Sequence, residues 1–286
     1  DAFASKPFAG NPAAIIPNAA HLSDAEMRDI AAELGMEVGF VLPPDDRAAD
    51  VRLRFFSDRN EGNLSGHVLL AAFTSLADRG IFRPRPEGRL LHVETLAGVL
   101  EVTLTAEPGG PVEVNAEMPT PRFGEPIAAD EVARAFETTA DAVRLGEAGP
   151  QRVSCGFDHV VVPVSDHDLM RGTLMPRERV QALLDERGAS GMVLFCPQTQ
   201  DAAVDYHCRF LHSGERRRCE DIASGTCLAA VAAYAVGHGL QSCGENVHVV
   251  TEQGHALGRP TRADLHVRCI GGEIHRVVLS GQGTVV

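Results

Sequence analysis

Apolar and polar residues alternate along many short stretches of this chain, and these stretches are rich in Val, Leu, Phe and Thr. Alternation with a period of two is typical of a strand with one buried face, because successive side chains point to opposite sides of a sheet. The pattern predicts strands at residues 51–56, 91–95, 100–104, around 153, 159–164, 192–196, 204–211, 247–251, 265–269 and 276–279. We therefore expect a chain that is rich in sheet.

Two longer apolar segments share a pattern that differs from that of the strands. Each follows a Glu, three further residues and a Ser-Gly pair, which is Ser65-Gly66 in the first half of the chain and Ser224-Gly225 in the second. Both segments are rich in Ala and Leu, which favour helix, and both reach a glycine 15 residues after the serine. Glycine at that place is typical of a helix end. The pattern predicts two matching helices, 159 residues apart.

The similarity between the two halves extends beyond these helices. The strand and turn at residues 93–98 have a counterpart at residues 250–254, at the nearly equal offset of 156. Two correspondences in the same order indicate a duplicated domain. The alternative is that two Ala-rich helices resemble each other by chance.

Shorter, more polar helices are predicted at residues 23–34, 129–137 and 176–186. In the first of them, Ser23 and the glutamate three residues later form the pattern of a capping box. Pro119 and Pro121 interrupt the middle of the chain and indicate a linker. The predicted fold class is α+β, with two similar halves that each wrap a curved sheet around one central helix. We predict domains at residues 1–118 and 119–286, with the last strand crossing back to the first domain.

Composition and charge limit the range of partners. A formal net charge of −13 and a pI near 5.3 repel the phosphate backbone of nucleic acids, and the basic triplet at 216–218 is interpreted as an exposed turn. The longest apolar runs fall well short of the ~20 residues that a membrane-spanning helix needs. A hydrophobic content of 44% is enough to bury an ordinary core. We expect neither a nucleic-acid partner nor a membrane segment.

Cysteine usage indicates a reducing environment. The seven cysteines are an odd number, all lie in the second half, and no two form a C-x-x-C pair. A disulfide framework is therefore not expected, and the cytoplasm is the predicted location. The chain begins at Asp1 in a strand-like stretch without Met, so we expect a few residues before it and leave a cleaved signal peptide open.

The sequence contains no familiar metal or cofactor signature. His207, Cys208, His212 and Cys219 lie close together, but their spacing matches no common zinc motif. The glycine-rich loops that bind the phosphates of nucleotides are also missing from the sequence. We therefore predict neither a metal nor a cofactor, and we expect the chemistry to come from side chains.

The two Ser-Gly helix starts are candidate anion sites. Unpaired backbone N–H groups and the positive end of the helix dipole both attract negative charge there. His67 and Thr226 occupy the first turns of the two helices and can donate hydrogen bonds. We expect the two starts to face one cleft and to bind a carboxylate. The alternative is that Ser65 and Ser224 are simple N-caps.

Glu37 is the candidate acid/base residue, because it lies in the otherwise apolar stretch 36–42. Burial disfavours a charged carboxylate and raises its pKa toward neutrality, as a base for a carbon acid requires. The alternative is that Glu37 is a solvated residue at the entry of a strand. Asp221 precedes the second central helix, where the pattern alone favours a capping role.

These features resemble those of the PhzF-like family of phenazine biosynthesis, which is related in fold to diaminopimelate epimerase and proline racemase. Residues 6–14 read KPFAGNPAA and are similar to the family's opening G-N-P-A loop, and Glu37 lies in a segment similar to the one that bears its catalytic glutamate. Matching segments run along nearly the whole chain, at residues 1–3, 6–14, 33–43, 52–56, 66–67, 209–210, 220–226 and 253–260. So many ordered matches are more specific than any one of them.

The resemblance implies two diaminopimelate epimerase-like domains, a cleft that closes, a homodimer and an isomerase without a cofactor. Glu37 would take a proton from one carbon of the substrate and return it to another, while His67, Asp221 and Thr226 orient the substrate. The substrate-binding residues expected on this basis are Ser65, Gly66, Ser224, Gly225 and Asn11.

The chain departs from related families at positions expected to line the site. Where the epimerases and racemases carry paired thiols, this chain has Ser65 and Ser224, and a hydroxyl has too high a pKa to serve as the carbon base. The chain also differs from the PhzF-like pattern at Asn63, Leu64, Ile222 and Thr226. We therefore expect a substrate other than the phenazine precursor.

The predicted function is proton transfer with migration of a double bond on a small unsaturated amino or cyclic carboxylic acid, in secondary-metabolite biosynthesis. One alternative is an epimerase, racemase or dehydratase that pairs Glu37 with a cysteine, for which Cys155, Cys219 and Cys227 are the candidates. A second alternative is a non-catalytic protein that binds a carboxylate.

Overall fold

The chain divides into two compact units. The computed structural model describes residues 1–57, 60–172, 177–212, 220–242 and 244–286, and only the backbone at His167. Unit 1 comprises Asp1–Pro119 and Val278–Val286, and unit 2 comprises Thr120–Val277. Within the described ranges, no helix is long and apolar enough to cross a membrane.

Unit 1 is a mixed sheet with helices. Its elements are β1 Ala14–Ile16, α1 Asp24–Leu34, β2 Val38–Leu42, β3 Val51–Phe56, β4 Glu61–Gly62, α2 Gly66–Asp78, β5 Arg89–Thr95, β6 Gly98–Thr105 and β7 Glu113–Met118. Helix α1 connects the parallel strands β1 and β2, and α2 precedes β5, which is parallel to β3. The pairs β2–β3, β3–β4, β5–β6 and β6–β7 are antiparallel.

Unit 2 repeats this plan after a few additional elements. Its strands are β8 Arg122–Pro126, β9 Gln151–Ser154, β10 Asp158–Pro163, β11 Gly191–Cys196, β12 Tyr206–His212, β13 Glu220–Asp221, β14 Asn246–Gln253, β15 Thr261–Ile270 and the start of β16 Glu273–Gln282. Its helices are α3 Ala129–Phe136, α4 His167–Arg171, α5 Arg177–Arg187 and α6 Gly225–Gly237.

The strands of unit 2 pair in the same order as those of unit 1. The pairs β10–β11 and β12–β14 are parallel, whereas β11–β12, β12–β13 and β14–β15 are antiparallel. Strand for strand, this series reproduces the one from β1 to β6. The pairing order confirms the predicted α+β class and the duplicated plan.

The strand registers show which residues of the two units correspond. Glu61 lies opposite Phe56 of β3, and Glu220 lies opposite Leu211 of β12. Strands β3 and β12 are therefore equivalent at an offset of 155 residues, close to the offset of 159 between the two central helices.

The second predicted correspondence needs a correction. Arg52 of β3 pairs with Glu94 of β5, and its equivalent His207 of β12 pairs with Glu252 of β14. Glu94 and Glu252 thus correspond at an offset of 158. The predicted offset of 156 was wrong by two residues, because hydrogen-bond pairing and not the similarity of short letter patterns sets the register.

The central helices α2 and α6 are buried on nearly all sides, as expected for helices that are apolar all round. Both end at the predicted glycines, Gly80 and Gly239, whose φ angles are +70° and +67°. In each case the glycine N–H donates to the carbonyl three residues back, and the next N–H donates to the carbonyl five residues back. This arrangement is a Schellman motif, which satisfies carbonyl groups that the helix leaves unpaired.

The remaining predictions of secondary structure have mixed outcomes. Helix α1 begins with the predicted capping box, since the Ser23 hydroxyl accepts the Glu26 N–H and the Glu26 carboxylate accepts the Ser23 N–H. Every predicted strand is present, with ends that differ by a few residues. The elements that the sequence did not predict are β1, β4, β7, β8, β13 and α4. Strands β1, β4 and β13 and helix α4 have at most five residues, and β8 is largely exposed, so they give no clear pattern. Strand β7 does alternate, with three buried residues, but was not predicted from the sequence.

A bidentate Arg–Glu pair precedes each central helix. Arg54 donates from Nε and Nη2 to the two carboxylate oxygens of Glu61 at 2.6 and 2.7 Å. Arg209 donates in the same way to Glu220 at 2.8 and 2.6 Å. The hydrogen bond with Glu61 raises the pKa of Arg54. We call these two pairs the Arg–Glu forks, and each ties a two-residue strand, β4 or β13, to the long strand beside it.

Breaking the two forks should have unequal effects on stability. The side chains of Arg209 and Glu220 are 3% and 10% exposed, against 12% and 22% for Arg54 and Glu61. Glu220→Gln leaves an uncompensated buried charge and should cost about 3–5 kcal/mol. Glu61→Gln should cost less, because Arg54 keeps its ion pair with Asp24 at 2.7 Å.

Urea unfolding followed by far-UV circular dichroism measures both changes, since the chain contains no Trp. Equal midpoints for the two variants would contradict the difference in burial as the cause.

Candidate active site

The candidate catalytic group of unit 1 forms where β2 begins. Glu37 directly precedes β2, and its carbonyl accepts a hydrogen bond from the Ala14 N–H at 3.2 Å. The backbone of Glu37 is thereby fixed to β1. Its side chain is 23% exposed, so the carboxyl group is mostly shielded and can still reach a ligand. A residue that exchanges protons with a substrate needs this combination.

Ser65 and His67 contact the carboxylate of Glu37. The Ser65 hydroxyl donates to Glu37 Oε2 at 2.7 Å. His67 Nδ1 lies 3.3 Å from Ser65 Oγ, and His67 Nε2 lies 3.9 Å from Glu37 Oε2. Three of the residues predicted for the site, which lie 28 and 30 positions apart along the chain, are thus brought together. We call them the Glu37 group.

The alternative that the two serines are simple N-caps is wrong for their hydroxyl groups. Ser65 and Ser224 occupy the N-cap positions of α2 and α6, yet neither side chain makes a capping hydrogen bond. Ser65 donates to Glu37 instead, and Ser224 Oγ lies 3.3 Å from Thr226 Oγ1. The first-turn N–H groups at Gly66 and Gly225 are therefore not covered by these hydroxyls, which suits a helix start that binds an anion.

In unit 2, Asp221 contacts a histidine that the sequence did not predict. His212 Nε2 lies 3.2 Å from Asp221 Oδ2, and both side chains are mostly buried. The backbone carbonyl of Asp221 accepts a hydrogen bond from Gln253 Nε2 at 2.9 Å. The pattern-based expectation for Asp221 was a cap of α6, but Ser224 is the N-cap of that helix. Asp221 and His212 form a carboxylate–imidazole pair.

Thr226 also contacts an unpredicted histidine. Thr226 Oγ1 and His159 Nε2 share a hydrogen bond of 3.0 Å, and both residues are buried. Burial, with a smaller contribution from the charge of His212, lowers the pKa of His159 to about 3. The ring of Phe210 packs edge-on against both His159 and His212. His159 is therefore neutral at ordinary pH and orients the Thr226 hydroxyl.

The sequence carried no signal for either histidine. His159 lies 67 positions before Thr226, and His212 lies nine positions before Asp221. Only the pairing of β12 with β13, and the contact of α6 with β10, bring these side chains together. A lone histidine at the end of a predicted strand does not reveal such a partner.

Asn11 and two of the residues that depart from the family pattern are buried and contact the surrounding backbone or core. Asn11 is buried and exchanges two backbone hydrogen bonds with Ala2, so its role in substrate binding stays a prediction. Leu64 and Ile222, two departures from the family pattern, are also buried. Ile222 packs against the turn at Gly254, where a side chain would come within 2.8 Å of the Ile222 carbonyl oxygen.

The cysteines proposed as partners of Glu37 are poorly suited to act as bases. Burial raises the pKa of the Cys155 thiol to about 12 and the pKa of the Cys227 thiol well above its ordinary value. The Cys227 thiol donates to Gln253 Oε1 at 3.7 Å. Cys219 lies outside the described residues, and so does the triplet at 216–218.

Among the described residues, the two histidines of the segment 207–212 have separate surroundings. His212 contacts Asp221, whereas His207, at the other end of β12, contacts Glu252. Cys208 lies between them and is buried.

Comparisons with known proteins all identify the same family. Residues 1–286 match the PhzC-PhzF family model, described as phenazine biosynthesis-like protein. The uncharacterized isomerase YfhB of Bacillus subtilis is 25% identical over 281 residues, covering 96% of this chain and 91% of that protein. The trans-2,3-dihydro-3-hydroxyanthranilate isomerase of Pseudomonas chlororaphis is 25% identical over 296 residues, covering 99% and 94%.

Solved structures have the same fold. The crystal structure of a PhzF-family phenazine biosynthesis protein from Bacillus anthracis has a TM-score of 0.87 and 26% identity, covering 99% of this chain and 93% of that one. A hydroxyproline epimerase from Agrobacterium vitis shares the fold at 14% identity, with a TM-score of 0.63 and coverage of 94% and 80%.

The duplicated α+β fold is therefore an epimerase-like fold. Among proteins with this fold, the chain belongs to the PhzC-PhzF family of phenazine biosynthesis-like proteins and is a PhzF-like isomerase. The resemblance stated from the sequence is confirmed.

Acid should destabilise the protein in part through His159. Because the pKa of His159 is lowered on folding, the unfolded chain binds a proton below pH 6.5 that the folded chain refuses until about pH 3. His159 thus reduces stability as the pH falls through this window. His159→Asn removes the titration, so the stability difference between wild type and variant should shrink by about 2 kcal/mol from pH 7 to pH 5.

Urea unfolding at both pH values measures this change. His275→Asn, at an exposed position of β16, serves as the matched control and should give no such shrinkage. A constant difference for His159→Asn would show that the imidazole is protonated alike in both states.

The two buried cysteines should resist alkylation in the folded protein. With a pKa of about 12 for Cys155, only about one thiol in 10⁴ is ionised at pH 8, and the thiolate is the reactive form. We expect iodoacetamide at pH 8 to leave Cys155 and Cys227 unlabelled, as measured by peptide mass spectrometry. The urea-unfolded protein is the control. Labelling at the rate of the unfolded chain would revive a cysteine as the partner of Glu37.

Proposed function

We propose that the protein moves a proton, and with it a double bond, on a small unsaturated amino or cyclic carboxylic acid, without a cofactor, and that it serves secondary-metabolite biosynthesis. The family supports this reaction class, because the relative from Pseudomonas chlororaphis is named as an isomerase of trans-2,3-dihydro-3-hydroxyanthranilate. That compound is an unsaturated cyclic amino acid. We also propose that the protein is a homodimer, as the family resemblance implies.

The observation that carries the proposal is the Glu37 group. A carboxylate, a hydroxyl and an imidazole lie within hydrogen-bonding or ion-pair distance of one another at the start of an uncapped helix. One oxygen of Glu37 is held by Ser65, which fixes the direction of the carboxyl group. A surface glutamate at the entry of a strand, the alternative left open by the sequence, would not need these two partners.

The reaction would proceed in two proton transfers. The carboxylate of Glu37 takes a proton from an allylic carbon of the substrate, and the electron pair of that C–H bond spreads over the double bond and the carboxyl group as a dienolate. Glu37, now a carboxylic acid, returns the proton to a second carbon, and the double bond has moved. No electrons are gained or lost overall. General acid–base catalysis of this kind typically contributes about 10²–10⁴-fold in rate.

The helix starts would stabilise the negative charge that forms. The first-turn N–H groups of α2, beginning at Gly66, and of α6, beginning at Gly225, are fixed dipoles that need no rearrangement when charge develops. Thr226, oriented by His159, and Asp221, paired with His212, are proposed to orient the substrate through hydrogen bonds. His67 is proposed to donate to the substrate from the first turn of α2.

The hydroxyl groups of Ser65 and Ser224 argue against two-base racemisation. In the related epimerases and racemases, the resemblance implies a thiol at each of these positions. A serine hydroxyl is far too weak an acid to be present as the alkoxide near neutral pH, so neither serine can take a proton from carbon. Proton transfer by the single carboxylate of Glu37 remains the reaction that these residues can support.

Removal of the carboxylate tests the assignment of Glu37. Glu37→Gln keeps the size and the hydrogen-bonding oxygen of the side chain but cannot accept the proton. We expect its turnover of trans-2,3-dihydro-3-hydroxyanthranilate, or of the best substrate from a panel of unsaturated amino and cyclic acids, to fall by about 10²–10⁴-fold. Incubation in deuterated water, with the label located by NMR, shows whether the proton moves between carbons.

The matched control is Glu33→Gln, because Glu33 is exposed on α1 and should leave the rate unchanged. Full activity of Glu37→Gln would overturn the assignment. Exchange of deuterium at one stereocentre without movement of the double bond would favour an epimerase. Binding of the acids with neither exchange nor conversion would favour a carboxylate-binding protein.

A further inference from the structure

A second group of polar side chains lies in unit 2, away from the candidate site. His207 Nδ1 is 3.0 Å from Glu252 Oε1, and His255 Nε2 is 3.8 Å from Glu252 Oε2. The two imidazole rings are 5.3 Å apart between centroids. One donor atom from each residue lies within 4.8 Å of the others. We call these three residues the His–Glu–His group.

The burial of this group is unusual for charged residues. The side chain of Glu252 is only 4% exposed, and a buried carboxylate needs compensating partners. In addition, His255 Nδ1 is buried and has no hydrogen-bond partner within the part of the chain that the structure describes. A buried imidazole nitrogen without a partner carries a desolvation cost that hydrogen bonding inside the protein does not recover.

In unit 1 the equivalent glutamate forms its hydrogen bonds and ion pair in a simpler arrangement. Glu94, the counterpart of Glu252, accepts the backbone N–H groups of Asp45 and Asp46 and lies 3.5 Å from the guanidinium of Arg52. Glu252 likewise accepts the N–H of Gln200 at 2.7 Å. The anchoring of a loop by a glutamate, partly buried in unit 1 and buried in unit 2, is therefore common to both units.

The two units differ in the basic side chain that pairs with this glutamate. Unit 1 uses an arginine, which stays protonated and cannot serve as a metal ligand. Unit 2 has His207 at the equivalent position and adds His255 from the short helical turn His255–Leu257. Anchoring the loop does not require two imidazoles. Two imidazoles and one carboxylate are, however, a ligand set that zinc and related divalent ions prefer.

The dimensions of the group fit a small divalent ion. Zinc binds imidazole nitrogen and carboxylate oxygen at about 2.0–2.2 Å, so tetrahedral ligand atoms lie about 3.3–3.5 Å apart. His207 Nδ1 and His255 Nε2 lie 3.0 and 3.8 Å from different oxygens of Glu252, and one ligand atom from each of the three residues lies within 4.8 Å of the others. Modest side-chain rotations would bring all three donors to a common centre.

We propose that His207, Glu252 and His255 bind a divalent transition-metal ion of the zinc type, with three protein ligands. The site lies at the opposite end of β12 from His212, a separation of about 17 Å for five residues of strand. The ion stabilises the turn after β14 and the loop that contains Gln200, and it takes no part in proton transfer. The proposal does not rest on the proposed function.

Zinc binding by the purified full chain tests this site. The probe is ZnCl₂ added to tag-free protein that has been stripped with a chelator and treated with iodoacetamide to block accessible thiols. Competition with a chromophoric chelator gives affinity and stoichiometry. We expect one zinc per chain and a higher thermal unfolding midpoint with zinc, because the ion binds the folded state.

His255→Asn is the decisive variant. It removes one ligand and keeps the contact of Glu252 with His207, so the fold should persist, and affinity should fall more than about 10-fold. His248→Asn is the matched control, because His248 belongs to a separate exposed group with His266 and Asp264 and should change nothing. MgCl₂ should not bind, since magnesium prefers oxygen ligands.

Three outcomes would overturn the proposal. They are the absence of stoichiometric zinc binding to the wild-type chain, undiminished binding by a folded His255→Asn protein, and loss of binding in His248→Asn. The circular dichroism spectrum of each variant establishes that it is folded. None of these results depends on isomerase activity, so failure of this site and failure of the proposed function are distinguishable.

Discussion

A bidentate Arg–Glu ion pair, buried in unit 2 and partly buried in unit 1, sets the geometry of each central helix start. The Arg–Glu fork ties a two-residue strand to the long strand beside it, and only three residues separate the glutamate from the serine of the Ser-Gly turn. Because both carboxylate oxygens and two guanidinium nitrogens are engaged, the short strand has little freedom to slide or rotate. At Arg209 the remaining Nη1 donates to the carbonyls of Met170 and Gly172, which satisfies a charge that would otherwise be costly to bury. The fork therefore fixes the direction in which the serine hydroxyl and the first helical N–H groups point.

The two units share this scaffold and differ in the chemistry that it holds. The registers of β2 with β3 and of β11 with β12 make Gly191 the counterpart of Glu37. A side chain at Gly191 would lie 2.5 Å from the ring of Phe210, so unit 2 has no room for a second carboxylate there. Other corresponding positions have also diverged, namely Gly62 with Asp221 and His67 with Thr226. The two units therefore share uncapped helix starts, but the candidate acid/base residue, Glu37, has no carboxylate counterpart in unit 2.

Local signals in the sequence were sufficient for the longer helices, for most of the strands and for half of the site. Ser-Gly followed by an apolar run, and glycine 15 residues later, predicted both central helices and their Schellman ends, because these features depend on neighbouring residues. Glu37 stood out as a charge in an apolar stretch. The histidine partners of Asp221 and Thr226 could not be recognised in the sequence. Strand pairing brings His212 to Asp221, and helix packing brings His159 to Thr226. The His–Glu–His group was missed for the same reason, as 45 residues separate His207 from Glu252, and spacing rules for metal sites apply to ligands within one short segment.

The proposal that one carboxylate, that of Glu37, transfers the proton has a consequence for the stereochemistry of the reaction. Two-base racemases remove a proton from one face of a carbon and deliver another from the opposite face, which inverts the centre. Glu37 is held by Ser65 on one side of its carboxyl group, and its counterpart in the other unit is a glycine, so in the proposed reaction the carboxylate of Glu37 would both take and return the proton. A base that carries the proton from one carbon to another without changing sides transfers it across one face of the substrate. The hydroxyl at Ser65 supports this course, because it positions the carboxylate by a hydrogen bond and offers no competing base.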